Sequence, residues 1–321
     1  MVGEGNRNKM TKILLSLTEV FKEQEQQLCS ELRELGAEVV SIVTKKESIF
    51  DYVKDAEVII TGVEKIDQKV MNAAPNLQYI AKFGTGVDNI DLTEAEKRGI
   101  KVTNTPGQNA SSVADLVFGL MLAASRNLVE SNDIVKSGNW KLVMGNEIEG
   151  KRLGIIGFGE IGKKVARRAT GFDMDIIAYG NHKDYVAADK LGVQFTNLEG
   201  LLQTSDYVVI CTNLKKSTYH LLNKERLNLM KKTAYLINIS RGDIIDETAL
   251  IACLKEKRIK GAALDVFSSE PPNLELAQLK NVLCSNHIGG ATEECADRIK
   301  EVIIGNMKNY LINKPLDYLV I

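Results

Sequence analysis

Histidine is scarce in this sequence, and features that would indicate several other classes of protein are missing. The chain of 321 residues has 3 histidines and 1 tryptophan, and its formal net charge is -1. A nearly neutral chain offers no electrostatic footprint for nucleic acid or for a membrane surface, so we expect neither partner. The longest apolar runs are far shorter than a bilayer span, and no internal repeat or low-complexity tract is visible.

The cysteines also exclude a class of site. Their positions show no metal-ligand spacing: Cys29, Cys211, Cys253, Cys284 and Cys295. We therefore expect no metal, and with no signal-type segment ahead of them we expect reduced thiols and a cytoplasmic protein. The polar start MVGEGNRNK predicts a disordered leader, with the folded chain beginning near Met10 or Thr11.

Short apolar runs alternate with longer amphipathic ones, and this alternation occurs in two series. The first series has the runs KILLSL, AEVVSI, AEVIITG, LQYIAKFG and IKVTNT. The second has RLGIIGFG, DIIAYG, YVVICT, AYLINIS, AALDVF and NVLCSNH, which predicts six strands. Such alternation is typical of parallel sheets covered by helices, so we expect two doubly wound α/β domains.

Two further segments are periodic enough to be helical. SSVADLVFGLMLAASRNLVESNDIVKSG, between the two series, predicts one or two helices that join the domains. The last segment, which starts at ATEECADRIKEVII, predicts a helix that could pack back on the first domain.

The clearest local motif is RLGIIGFGEIGKKVARRA, in which three glycines follow an apolar strand and open a helix. Gly157 allows a tight turn, Gly159 lets the backbone approach a pyrophosphate, and Gly162 allows the helix to pack closely on the strand. The pyrophosphate would lie on the amides of Gly159, Glu160 and Ile161, at the positive end of the helix. The motif predicts a dinucleotide site.

Four functional side chains are expected at the ends of later strands. Arg241 follows LINIS, AALDVFSSEPP places Asp265 and Glu270 around the end of another strand, and His287 follows NVLCSN. Taken singly, Arg241 could be a surface ion-pair donor, Glu270 a turn residue and His287 a structural histidine. Together they suit hydride transfer, because an arginine fork binds a substrate carboxylate, a histidine moves a proton, and a glutamate favours the protonated histidine.

The chain resembles the D-isomer-specific 2-hydroxyacid dehydrogenases, most closely the short members similar to D-3-phosphoglycerate dehydrogenase. The resemblance covers nearly the whole chain through KFGTGVDNIDLTEAEKRGIKVTNTPG, SVADLVFGLMLAASRN, GNW, GKRLGIIGFGEIG, LINISRGDIIDETAL, GAALDVFSSEPP and NHIGGAT. It implies that Arg241, Glu270 and His287 are the catalytic residues.

The resemblance also implies the residues that bind cofactor and substrate. It implies that the cofactor is lined by Thr85, Glu160, Ile161, Thr212, Ile239, Ser240 and Asp265, with Asp265 near the nicotinamide carboxamide. The glycine motif adds Gly157, Gly159 and Gly162, and the predicted cofactor residues also include Gly180, Asn181 and Gly289. The substrate residues would be Gly84, Gly86, Val87 and Arg241, with free amides from Gly84 to Val87 forming a nest for the substrate carboxylate. Lys82 is added because it stands just before this glycine loop. Lys82 would contact a substrate phosphate, or is a solvated lysine at a strand end.

Domain boundaries and assembly follow from the same resemblance. It implies a discontinuous, flavodoxin-like substrate domain at residues 1–104 plus 291–321, and a Rossmann cofactor domain at residues 105–290. The cleft between them would close on substrate. A homodimer is expected, with Trp140 in the region that packs on the partner subunit.

Departures from the family pattern bear on the cofactor. The acidic residue expected after the second strand of the cofactor domain is replaced by Gly180, followed by Asn181, His182 and Lys183. NAD(H) or NADP(H) is expected, with NADP(H) favoured, because an aspartate that would repel a 2′-phosphate is missing. The alternative is that YGNHKD is a polar turn in which Asp184 makes the ribose contact.

Three functions stay open. The main prediction is an oxidoreductase similar to 3-phosphoglycerate dehydrogenase, and the alternative is a glyoxylate or hydroxypyruvate reductase. The departures at the adenosine pocket mildly favour that alternative: Gly180, and Cys211 and Asn213 where many members have histidine and proline. A dinucleotide-sensing binding protein similar to corepressors is the alternative of another class, although the sequence has no basic stripe and no interaction tail.

Overall fold

The computed structural model describes residues 10–44 and 46–321, so the predicted leader at residues 1–9 lies outside the described residues. The described chain divides into two compact units. Unit 1 comprises the described residues up to Asn109 together with Ala291–Ile321, and unit 2 comprises Ala110–Gly290. The predicted functional domains, with their boundary after residue 104, remain a proposal.

The strands and helices follow one another along the chain as the alternating pattern predicts. The strands are β1 Lys12–Leu17, β2 Glu38–Val43, β3 Val58–Thr61, β4 Tyr79–Lys82, β5 Lys101–Thr103, β6 Arg152–Ile156, β7 Asp175–Tyr179, β8 Val193–Phe195, β9 Tyr207–Ile210, β10 Tyr235–Asn238, β11 Gly261–Leu264 and β12 Val282–Cys284. The helices are α1 Lys22–Glu34, α2 Gln68–Ala73, α3 Leu92–Lys97, α4 Ala110–Ser125, α5 Leu128–Lys136, α6 Glu160–Thr170, α7 Tyr185–Lys190, α8 Leu198–Thr204, α9 Lys224–Leu227, α10 Glu247–Lys255, α11 Leu274–Ala277 and α12 Glu293–Leu311.

Unit 1 contains a 5-stranded parallel sheet in the order β2-β1-β3-β4-β5. This is the flavodoxin-like order, and all five predicted strands are present. Strands β3 and β4 are buried along their whole length, as the apolar runs VIIT and YIAK require of strands covered on both faces.

Helix α12 belongs to unit 1 although it ends the chain. The Thr292 hydroxyl accepts the Cys295 N–H at 3.2 Å and caps the helix start. Its apolar side chains recur every three or four residues, and Ile299, Ile303 and Met307 join the core formed by β1 and α1. The predicted packing of this helix against the first α/β series is therefore present.

Unit 2 contains a 7-stranded parallel sheet in the order β12-β11-β10-β9-β6-β7-β8. All of these strands are parallel, and their order along the sheet reverses between β6 and β9. This is the doubly wound arrangement, so the predicted fold class is confirmed. The prediction of six strands was wrong by one. The missed strand, β8, is the three-residue edge strand VQF, which is too short to form an apolar run.

The segment between the two series forms two helices, α4 and α5, as predicted. Helix α4 is buried along much of its length, and Asn127, with φ 50°, turns the chain before α5 begins. Among the described residues, no single helix is long and apolar enough to cross a membrane. Helices α4 and α5 taken together are long and apolar enough, by length and composition only, and there is a bend of 62° between them.

Candidate active site

The residues predicted in unit 2 lie along one edge of its sheet. Gly157 follows β6, Gly180 follows β7 and Thr212 follows β9. Ile239, Ser240 and Arg241 follow β10, Asp265 follows β11, and His287 and Gly289 lie in the loop after β12. Because parallel strands end at the same edge, the topology brings these residues to one side of the unit, where ligands of open α/β sheets bind.

The glycine loop after β6 fits a dinucleotide. Gly157 has φ 102°, and a Cβ on it would lie 2.7 Å from the Cys211 carbonyl carbon; a Cβ on Gly162 would collide with the Gly157 carbonyl oxygen. A Cβ on Gly159 would meet no atom within 4 Å, and Gly159 is the N-cap of α6, whose start has no side-chain cap. The open space and the uncapped helix start leave room and donors for a pyrophosphate, as the motif predicts.

The space beside Gly180 is open enough for a side chain. A Cβ on Gly180 would lie 3.6 Å from the Phe158 amide nitrogen and 3.9 Å from the Gly157 Cα, which are ordinary contact distances. Residue 180 therefore lies directly beside the glycine loop. The exposed residues Asn181 and His182 follow it.

Asp184, the alternative ribose ligand, has other partners. Its carboxylate accepts the Ala187 N–H at 3.0 Å as the cap of α7, and its second oxygen lies 3.6 Å from Lys163 Nζ. The hydrogen bond from the Ala187 amide, with the nearby Lys163 ammonium, holds the pKa of Asp184 below its usual value. Lys183 lies over the Phe195 ring, with Nζ 6.0 Å from the ring centre.

The turn after β10 is held by a buried side chain. Asn238, which is 0% exposed, donates from Nδ2 to the Arg241 carbonyl at 2.9 Å and accepts the Ser240 N–H at 3.1 Å. Ser240 Oγ donates to the Ile210 carbonyl at 2.9 Å, which ties this turn to the end of β9. The Arg241 side chain therefore projects from a backbone that is held in place. Its guanidinium donates to the Ser240 carbonyl at 2.7 Å.

Gly242 allows the loop that carries Glu270 to cross this turn. A Cβ on Gly242 would overlap the backbone of Phe267 and Ser268, so no other residue fits there without moving the loop. The close approach brings the chain leading to Glu270 against the turn that carries Arg241. Glycine at 242 thus couples two of the predicted catalytic positions through the backbone.

His287 and Glu270 are brought together in unit 2. His287 Nδ1 lies 3.0 Å from each carboxylate oxygen of Glu270. The two side chains are 48% and 45% exposed, so the pair is accessible to a ligand. With Nδ1 oriented by the carboxylate, the other ring nitrogen, Nε2, is left to exchange a proton with a reacting group.

The loop that carries His287 is wrapped around Asp265. The Asp265 carboxylate is 1% exposed and accepts Ser285 Oγ–H at 2.7 Å, the Ile288 N–H at 2.9 Å and the Gly289 N–H at 2.9 Å. The His287 N–H donates to the Asp265 carbonyl at 2.9 Å. Both carboxylate oxygens of this predicted cofactor ligand are thus engaged by the loop.

The remaining predicted residues lie in unit 1, in the loop after β4. The Gly84 N–H donates to the Lys82 carbonyl at 3.0 Å, so it is not a free member of the nest. Within the described part of the chain, no acceptor is found for the amides of Thr85, Gly86 and Val87. The predicted nest is thus reduced to three amides. Thr85 Oγ1 lies 3.1 Å from the Thr105 carbonyl.

Lys82 is a buried residue that connects two loops of unit 1 by hydrogen bonds. It is 8% exposed, and its ammonium donates to the Gly62 carbonyl and, at 2.8 Å, to Asn89 Oδ1. Asn89 in turn donates to the Glu64 carbonyl at 2.5 Å. The ammonium is therefore engaged inside the unit, and the predicted contact with a substrate phosphate stays a prediction.

The sequence reasoning did not identify the residues that hold the site. Asn238 and Ser285 fix the turns of Arg241 and His287, and Asn89 fixes the loop after β4. A signal for Asn238 was present, because it is a polar residue inside the apolar run YLINI, three residues before Arg241. Nothing comparable marks Ser285, whose partner lies in another strand end.

Comparison with known proteins assigns the family. The family model described as "D-isomer specific 2-hydroxyacid dehydrogenase, NAD binding domain" matches residues 118–289. A glyoxylate reductase of Thermococcus litoralis is 43% identical over 270 residues, which cover 81% of this chain and 82% of the relative.

Solved structures of related enzymes agree with this assignment. A D-lactate dehydrogenase from Aquifex aeolicus, complexed with NAD and lactic acid, has a TM-score of 0.82 and 29% identity over 94% of this chain and 96% of its own. The acyclic imino acid reductase Bsp5, in complex with NADPH and D-Arg, has a TM-score of 0.84 and 26% identity over 97% of this chain and 100% of its own. The chain belongs to the D-isomer-specific 2-hydroxyacid dehydrogenase family and is an NAD(P)-dependent oxidoreductase that acts on the CH–OH group of small 2-hydroxy acids.

Proposed function

We propose that this enzyme reduces glyoxylate, and hydroxypyruvate as a related small substrate, to the corresponding 2-hydroxy acid. The observation that carries the reaction type is the Glu270–His287 pair, with 3.0 Å between His287 Nδ1 and each carboxylate oxygen, at the sheet edge that also bears Arg241 and the glycine loop. The relative from Thermococcus litoralis is named a glyoxylate reductase, which supports this substrate over 3-phosphoglycerate.

Arg241 is proposed to bind the substrate carboxylate. A guanidinium presents two parallel N–H donors, which match the two oxygens of a carboxylate and fix its orientation. The backbone from which Arg241 projects is held by Asn238, so the fork has a defined origin. The three amides of Thr85, Gly86 and Val87 are proposed as further donors for an anionic substrate group.

His287 is proposed as the general acid during reduction. Bound at this edge, the nicotinamide cofactor supplies the hydride for C2 of the 2-oxo acid. His287 gives a proton from Nε2 to the oxygen on C2 as negative charge develops there, and in oxidation it takes that proton back. Glu270 orients the ring through Nδ1.

The position of Lys82 supports a small, unphosphorylated substrate. A phosphorylated substrate needs a cation that binds its phosphate, and Lys82 is the residue predicted from the sequence to do so. Its ammonium is 8% exposed and engaged by Gly62 and Asn89, which favours an unphosphorylated substrate. The phosphoglycerate prediction is thus less well supported than the glyoxylate alternative.

NADP(H) is proposed as the favoured cofactor. Gly180 places no carboxylate beside the glycine loop, and Asp184 caps α7 and pairs with Lys163, so neither residue opposes a 2′-phosphate in the way a ribose-binding aspartate would. His182 and Lys183 add donors and positive charge next to this position. Known relatives bind either cofactor, NAD in the Aquifex aeolicus enzyme and NADPH in Bsp5.

A homodimer is also proposed. Trp140, Leu142 and Met144 are 90%, 94% and 91% exposed on a segment without regular secondary structure that follows α5. Large apolar side chains concentrated in this way mark a surface that another protein covers, and a second copy of the chain is the proposed partner.

The deciding experiment is a substrate panel. Glyoxylate, hydroxypyruvate and 3-phosphohydroxypyruvate are compared by kcat/KM with NADH and with NADPH. We expect glyoxylate or hydroxypyruvate to exceed the phosphorylated acid by about tenfold or more, a difference of about 1.4 kcal/mol in transition-state binding. A tenfold preference for 3-phosphohydroxypyruvate would overturn the proposal and restore the phosphoglycerate assignment.

A further inference from the structure

We infer that Asp265 is a positioning residue that fixes His287, by acting as the internal anion of a nest formed by the loop after β12. Residues 287, 288 and 289 present three successive backbone N–H groups to this one residue. The His287 N–H binds the Asp265 carbonyl, the Ile288 N–H binds Oδ1, and the Gly289 N–H binds Oδ2. This inference rests on the proposed role of His287 as the proton donor.

The backbone of His287 requires such support. His287 has φ 58°, in the left-handed region that residues other than glycine seldom adopt. A left-handed residue turns the following amides to the same side of the chain, which is the geometry of an anion-binding nest. The Asp265 carboxylate fills that nest, so the conformation that presents the imidazole and the carboxylate that stabilises it depend on each other.

The carboxylate is buried and each of its oxygens is used. Asp265 is 1% exposed, and Ser285 Oγ–H adds a second donor to Oδ1 at 2.7 Å. Gly289 is buried against the other side, where a Cβ would lie 3.1 Å from Oδ2. The loop therefore has little room to shift relative to β11, and the distance between His287 and Glu270 is set through Asp265.

An asparagine at this position cannot satisfy the same donors. If the amide oxygen replaces Oδ1, its NH₂ group faces the Gly289 N–H; if it replaces Oδ2, the NH₂ group faces the Ile288 N–H. Either orientation sets two donors against each other at a distance where the carboxylate made a hydrogen bond. Asp265→Asn thus removes one bond of the nest in either orientation, with almost no change in side-chain volume.

The test follows amide exchange in the cofactor-free protein, where a contact between Asp265 and cofactor plays no part. Samples labelled with ¹⁵N-glycine and ¹⁵N-isoleucine report the Ile288 and Gly289 amides by NMR. In Asp265→Asn we expect both amides to exchange at least about tenfold faster than in the parent, because each asparagine orientation leaves one amide facing a donor and the loop then opens more easily. Exchange within twofold of the parent at both amides would overturn the inference.

A second variant separates the two carboxylate oxygens. Ser285→Ala removes one donor to Oδ1 and leaves the bond between the Gly289 N–H and Oδ2. The Ile288 amide should then exchange about threefold or more faster than in the parent, with a smaller change at Gly289. Equal rates in Ser285→Ala and the parent would contradict the nest. Should Asp265→Asn fail to fold, this variant carries the test.

The kinetic measurement asks whether the nest serves the chemistry. With glyoxylate and saturating cofactor, Asp265→Asn should lower kcat by about tenfold or more. A weaker cofactor Kd with unchanged exchange would make Asp265 a cofactor ligand only, and faster exchange with unchanged kcat would show that the nest does not position His287. Both outcomes overturn the inference. If the parent does not reduce glyoxylate, the proposed function fails, whereas the exchange test of the nest stands.

Discussion

Placing a carboxylate at residue 180 should change the choice of cofactor. In Gly180→Asp the new Cβ lies 3.6 Å from the Phe158 amide nitrogen and 3.9 Å from the Gly157 Cα, so the side chain enters without displacing the glycine loop. A carboxylate next to a phosphate repels it by roughly 1 to 2 kcal/mol in water-like surroundings. A hydrogen bond from a ribose hydroxyl to that carboxylate contributes about 1.5 to 3 kcal/mol in favour of NAD.

The two effects act in the same direction, so the ratio of kcat/KM for NADPH to that for NADH should fall by more than about tenfold. Gly180→Ala is the matched control, because it adds the same Cβ without a charge, and it should leave the ratio within about twofold. The assay is steady-state reduction of glyoxylate with each cofactor. An unmoved ratio in Gly180→Asp would show that residue 180 is not beside the ribose. In the parent, a preference for NADH above about a hundredfold, near 2.7 kcal/mol, would refute the NADP proposal.

Three further results are expected. Glu270→Gln replaces the carboxylate that orients His287 through Nδ1 with an amide that has only one oxygen, so kcat for glyoxylate reduction should fall by about tenfold or more; an unchanged kcat would remove Glu270 from the mechanism. Lys82→Ala should lower the free energy of unfolding by about 1 to 3 kcal/mol in a urea titration, because buried partners of the ammonium lose their donor, whereas a rise in KM confined to the phosphorylated acid would establish the phosphate contact instead. Replacing Trp140 and Leu142 with glutamate should shift the protein from dimer to monomer in sedimentation velocity, and a parent that is already monomeric would refute the proposed dimer.

The fold was predictable because buried parallel strands are continuous apolar runs. Strands such as β6, within RLGII, and β9, within YVVI, are fully or almost fully buried, and each was visible as a run bounded by glycine or polar residues. The edge strand β8 was missed because an edge strand is covered less completely and needs fewer apolar residues. Its short sequence VQF has no signal that separates it from a loop.

Only those residues of the candidate site that lie at or near the ends of strands could be predicted from the sequence. Arg241, Asp265 and His287 directly follow, or lie close to, the ends of adjacent strands, so the topology alone places them at one edge. The bonds from the Ile288 and Gly289 amides to Asp265 depend on the left-handed backbone of His287, which no apolar pattern reports.

Lys82 is a second residue whose partners could not be predicted from the sequence. A lysine at a strand end can extend into solvent or turn inward, and its sequence neighbours are compatible with both. Its position is decided by the Gly62 carbonyl and by Asn89, which reach it from a different strand end and from the following loop. Tertiary contacts of this kind fix the partners of a charge, and the sequence specifies them only through the complete fold.

The most direct test of the account is the rate of glyoxylate reduction by His287→Ala. Proton donation by a positioned side chain contributes about 10² to 10⁴ to the rate, so kcat should fall by that factor while the cofactor Kd stays within about threefold of the parent. His220→Ala is the control, since His220 stacks on Tyr219 with 4.0 Å between ring centres and has no assigned part in the reaction. The account predicts a large loss of kcat in the first variant and a change below about threefold in the second. A His287→Ala enzyme that keeps kcat within a few-fold of the parent, with chemistry rate-limiting, would contradict it.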